Sequence, residues 1–95
     1  MEHLEVELFT PQVNNAVLRL PQRRFPGVLI AGDTLSTLAA TAQTILERAR
    51  ETNDDELRAE AEDLTERLRE ILATYESVMK ANDRELPYTK EREHE

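Results

Sequence analysis

The chain has 95 residues, 39% of them hydrophobic and 34% charged, with two Phe, two Tyr, no Trp and no Cys. That length suits one small domain with a net stability of only about 5–15 kcal/mol, and the absence of cysteine excludes disulfides, thiolate metal sites and thiol catalysis. The net charge of −8 is uneven, with fifteen acids and seven bases in residues 51–95 against five of each in residues 1–50. Such a balance opposes contact with phosphate backbones, so no nucleic-acid partner is expected.

From Leu4 to Thr10 the residues alternate, Leu4, Val6 and Leu8 against Glu5, Glu7 and Phe9, which is the period of a half-buried strand. Pro11 to Asn15 supplies turn residues, among them Asn, which tolerates left-handed backbone angles. Ala16 to Leu20 alternates again. After the breaks at Pro21–Arg24 and Pro26-Gly27, Val28 to Ala31 reads as a third short strand. Three strands joined by short loops predict an antiparallel meander. One sheet face carries Leu4, Val6, Leu8, Leu18, Leu20, Val28 and Ile30. The other mixes Glu5, Glu7 and Arg19 with Phe9, Val17 and Leu29, an apolar stripe that needs cover.

Gly32 is expected to turn the chain sharply through a positive φ, with Asp33 or Thr34 capping a helix from about Leu35 to Glu51. The alternation of three and four in Leu35, Leu38, Ala42, Ile45 and Ala49, with Ala39 and Leu46 beside them, gives that helix its apolar stripe. A second helix is predicted from near Asn53, capped by Asn53 with Glu56 in a capping box, to about Ala81. Leu57, Ala61, Leu64, Leu68, Ile71, Tyr75 and Val78 form its stripe. The loop from Thr52 to Asp54 is short enough for an antiparallel hairpin. The longer second helix then overhangs the first, leaving Tyr75, Val78 and Met79 to be covered, and a second copy of the chain is expected to cover them as a homodimer. The sequence predicts a single α+β domain over 1–88, βββαα in order, and a disordered charged tail over 89–95.

No catalytic constellation is present. His3 and His94 have no carboxylate at ligand spacing, so no metal site is predicted. Asp54, Asp55 and Glu56 belong to a helix's first turn, where the dipole favours them. Thr34, Ser36 and Thr37 have no histidine base in reach. The Gly32-Asp33-Thr34 helix start lacks the glycine pattern of a phosphate cradle, and no cofactor is expected. Arg19, Arg23 and Arg24 form the one basic cluster, suited to pairing with Glu5 and Glu7 across the hairpin, or to meeting an acidic partner or RNA, with a protein interface the main option after pairing. No apolar run reaches 18 residues and no secretory h-region follows the N-terminus, so neither a membrane span nor a signal peptide is read, and a cytoplasmic location is expected.

The segment Arg23, Phe25, Pro26, Gly27, Val28, Gly32, Asp33, Thr34 and Leu35 resembles the R-x-F-P-G-V…G-D-S/T-L core of a family of short uncharacterised bacterial proteins, over most of residues 3–80. More distantly, Pro21, Phe25, Pro26, Gly27, Gly32, Asp33 and Thr34 are similar in spacing to the N-terminal module of HicB-type antitoxins, over roughly residues 3–50. That resemblance implies a small sheet-and-helix module that binds a toxin. The chain departs from it at Ser36-Thr37-Leu38 and by carrying an acidic helix where a DNA-binding segment would stand. The sequence therefore predicts a non-enzymatic protein-binding module, an antitoxin-like or immunity-like inhibitor of a protein partner with a basic toxin among the options, and as the alternative a homo-oligomeric structural or accessory subunit without inhibitory role. Phe9, Val17, Arg19, Arg23, Arg24 and Leu29 are the candidate partner-binding residues.

Overall fold

The computed structural model describes residues 1–89, and the predicted tail, apart from Thr89, lies outside them together with His94. The order is βββαα, as the sequence predicts: β1 (Glu7–Leu8), β2 (Val17–Arg19), β3 (Gly27–Val28), α1 (Gly32–Ala49) and α2 (Asp55–Ala81). The chain divides into two compact units at the Ala31–Gly32 boundary.

In the first unit the strands form one antiparallel sheet in the order β1-β2-β3. The strands are shorter than the alternation predicts. Asn15 takes the left-handed φ of 63° expected in the first turn, and Gln22 takes 70° in the second. The register sets Glu7 opposite Arg19, Leu8 opposite Leu18, Val17 opposite Val28 and Leu18 opposite Gly27. Because paired residues point to the same side and neighbours alternate, Phe9, Val17 and Val28 share one face with Glu7 and Arg19. Leu8, Leu18 and Leu29 share the other. The predicted places of Val28 and Leu29 are thus exchanged. The run Val28-Leu29-Ile30 is apolar throughout and carries no contrast from which its phase can be read.

In the second unit α1 and α2 pack as an antiparallel hairpin. The α1 seam is Gly32, Leu35, Ala39, Ala42, Leu46 and Ala49, all buried at alternating three- and four-residue spacing. From α2, Ala61 clusters with Leu46 and Ala49, Thr65 meets Ala42 and Tyr75 meets Gly32, while Leu68 and Leu72 along the same row are half-buried. The seam is mostly glycine and alanine, which lets the helices approach closely, and Thr65 Oγ1 donates to Ala42 O at 3.0 Å across it. Leu57, Leu64, Ile71 and Val78, predicted for the seam, are instead exposed, as are Leu38 and Ile45 of α1.

Three helix-terminal expectations are corrected. Gly32 has no positive φ and belongs to the first turn of α1, so it is not a hinge. It is glycine because a β-carbon there would overlap the Tyr75 ring. Asp33 and Thr34 accordingly lie inside the helix, with the Asp33 carboxylate accepting from Thr34 N–H at 2.8 Å. The cap of α2 is Asp54, which accepts from Leu57 N–H at 3.0 Å, one residue later than predicted. At its other end α2 closes with Arg84 N–H donating to Met79 O at 2.8 Å and Asp83 N–H to Lys80 O at 3.1 Å, with Asp83 left-handed at φ 54°. This is a Schellman closure that accepts Asp where glycine is usual.

Candidate functional site

The candidate residues lie mainly in the strand unit, and the register decides which of them act together. Phe9 and Val17 are adjacent, tied by Phe9 N–H donating to Val17 O at 2.8 Å, and Arg19 stands on the same face. Leu29 is fixed on the opposite face by its N–H donating to Ala16 O at 2.8 Å. The predicted set is therefore divided between two faces of one small sheet.

The arginines divide as well. Arg19 Nε donates to Glu7 Oε1 at 2.6 Å across the β1–β2 pair, and its Nη1 donates to Arg23 O at 2.7 Å. This bond, and secondly the opposite charge of each partner, hold the Glu7 carboxyl below and the Arg19 guanidinium above their ordinary values. Arg19 thus clamps the hairpin and its following turn. Arg24 lies over the Phe25 ring, 5.2 Å from its centroid, in cation–π geometry.

Mainly on the Leu18 face, β2, β3 and the segment between them form a groove of about 470 Å³ that Val28 of the other face also borders. Leu18, Leu20, Phe25, Pro26 and Leu29 line it, with Arg23 among them. Phe25 is 72% exposed, a large aromatic open to solvent immediately before β3, with Arg24 over its ring. Alternation signals this groove only weakly, since Phe25 stands in the turn. Its signal in the sequence is the Phe-Pro-Gly segment itself. Gly27 has open space where a β-carbon would sit, so a side chain there would project without collision.

The hairpin offers a second, polar groove, of about 530 Å³, lined by Arg50, Glu62, Asp63, Glu66 and Arg69 beside Leu46 and Thr65. Acids and arginines alternate there, as in a solvated helical face. Among the described residues no group of three or more His, Asp or Glu side chains is placed to hold a metal ion. Of the predicted dimer contacts, Tyr75 is half-buried against Gly32 within the hairpin, while Met79 is half-buried and Val78 exposed in the turns beyond it. Tyr88 folds back on α2, its hydroxyl donating to Glu76 Oε2 at 2.8 Å.

A family model matches residues 1–88, which takes in all five elements and the Tyr88 contact. The chain belongs to DUF6959, a family of unknown function. At that level the match agrees with the expected kinship to an uncharacterised family. No curated protein and no solved structure matches the chain. No helix among the described residues of this DUF6959 member is long and apolar enough to cross a membrane.

Proposed function

We propose that this DUF6959 chain is a non-catalytic protein-binding module and that its strand unit is the binding surface. The observation that carries the reading is the open groove around Phe25. Apolar side chains of β2 and β3 stand exposed there beside an arginine, the combination of aromatic, aliphatic and guanidinium groups from which interface anchors are drawn. Arg23, at the rim, suits a partner that presents a carboxylate next to an apolar side chain. The spacing likeness to HicB-type antitoxins agrees with an inhibitor of a partner protein, and the acidic α2 suits steering toward a basic one such as a toxin. A cytoplasmic setting fits the same reading.

The test is affinity purification from the native host with mass spectrometry, comparing wild type with Phe25→Asp and Phe9→Asp, each shown by circular dichroism to fold. Loss of the specific partner with Phe25→Asp supports the groove. Loss only with Phe9→Asp moves the site to the opposite sheet face. A partner retained by both variants removes the strand unit from consideration, and the alternative of a structural or accessory homo-oligomer then takes its place.

A further inference from the structure

The hairpin has two unlike faces. Leu57, Leu64, Ile71 and Val78 recur every seventh residue along α2 and are all exposed, and Leu38 and Ile45 repeat the interval on α1. Two right-handed helices packed antiparallel through the Gly32–Ala49 seam bring these two rows to the same side of the pair. The opposite side carries the polar groove of Arg50, Glu62 and Arg69. A seven-residue apolar row sustained over three intervals is the pattern of helix-to-helix packing. Here it lies beside a hairpin seam already filled by small residues.

We infer that a second copy of this chain covers the face, with α1 of each copy lying on α2 of the other in a four-helix bundle about a twofold axis parallel to the helices. The heights of the side chains favour this occupant. Ala42 is level with Thr65 and Gly32 with Tyr75. The same stagger puts Leu38 level with the gap between Leu64 and Ile71, and Ile45 level with the gap between Leu57 and Leu64. A twofold copy presents the same stagger again, so each α1 knob enters an α2 hole of the other chain.

Charge agrees. The edge of the face on α1 carries Thr41 and Arg48, and the edge on α2 carries Glu60, level with Arg48; the bundle sets Arg48 beside Glu60 of the second copy on both sides. The face is about 30 Å long and two helices, about 20 Å, wide. Its projected area of roughly 600 Å² is of the order of the ~800 Å² each partner gives to a standard interface. This surface differs from the Tyr75, Val78 and Met79 overhang that the sequence suggested, sharing only Val78, and it is independent of what the strand unit binds.

Sedimentation equilibrium of the full chain at tens of micromolar should report twice the 11.0 kDa chain mass. Leu64→Glu and Ile45→Glu should weaken the dimer by roughly thirtyfold or more, the loss expected of a central interface anchor. Glu62→Lys on the polar side should leave it unchanged. Should either apolar-face variant fail to fold, the charge exchange decides: Arg48→Glu weakens association several-fold, and adding Glu60→Arg restores it. A monomeric wild type overturns the inference. A dimer that persists in folded Leu64→Glu protein, or is indifferent to the charge exchange, overturns it too.

Discussion

Gly32 in the first turn of α1 lies against the ring of Tyr75 on α2, so close that a β-carbon on residue 32 would overlap the phenol. The contact joins two residues far apart in sequence and closes the open end of the hairpin. Gly32→Ala should therefore destabilise the protein by about 1–3 kcal/mol through overpacking, despite the usual gain of up to about 1 kcal/mol when Ala replaces Gly in a helix. In a Tyr75→Ala background the obstruction is gone, and the same substitution should become neutral or slightly stabilising. A double-mutant cycle by urea denaturation reads the reversal. Equal effects in both backgrounds would show that the glycine is required for some other reason.

Capping at the start of α2 separates two neighbouring residues that sequence alone treats alike. Asp54 accepts the Leu57 N–H at 3.0 Å, so Asp54→Ala should cost about 1 kcal/mol. Asn53→Ala should stay within about 0.5 kcal/mol of wild type, as surface substitutions usually do. Thermal or urea melts of the two variants check the assignment, and a larger loss at Asn53 would move the cap back one residue.

The element order was legible because period-two and heptad patterns are local, and so was a left-handed Asn in the first turn, though not which of Asn14 and Asn15 takes it. What failed had local ambiguity or a distant cause. Val28 and Leu29 exchange faces because an all-apolar run has no phase. Asn53 and Asp54 both have capping side chains, and only the path of the loop, with Thr52 Oγ1 accepting from Asp54 N–H at 3.2 Å, chooses between them. Two apolar rows interleave on α2, and the small residues of α1 decide that the row of Ala61, Leu68 and Tyr75 packs in the seam. The reason for Gly32 is a ring on another helix, which no window around residue 32 contains. In the candidate site, Arg19 was legible as the partner of Glu7. Phe25 stood out by its motif, and the groove it lines depends on a strand register that the motif does not encode.

The Glu7–Arg19 bond predicts a pH dependence in the strand unit. Glu7 has its carboxyl lowered in the folded protein, first by the hydrogen bond from Arg19 and then by its charge. A depressed carboxyl contributes stability that is present above its unfolded value and is lost as pH falls through the folded one. The pair is exposed, so the contribution is small and screened by salt. Carboxyl NMR titration should find Glu7 below the ordinary glutamate value in wild type and back at it in Arg19→Gln. An unshifted Glu7 in wild type would mean that the clamp across β1 and β2 is open in solution.

Tyr88 carries the opposite sign. Burial first, then the hydrogen bond to Glu76, then the charges of Glu76 and Tyr75 push its phenol well above the ordinary tyrosine value near 10. A raised value means that the folded chain holds the proton more tightly than the unfolded chain. The docked segment therefore keeps its full contribution below about pH 10 and loses it as pH rises through the folded value. Tyr75→Phe leaves Tyr88 as the only tyrosine, so its ultraviolet ionisation can be followed alone. The phenol should remain protonated at about pH 11 in the folded protein and ionise at about 10 in urea. Adding Glu76→Gln should lower the folded value without returning it fully, because burial is the larger cause. A folded-state midpoint already near 10 would show that residues 84–88 do not stay docked on α2. Among the described residues, the ordered structure of α2 would then stop at the Schellman closure at Asp83.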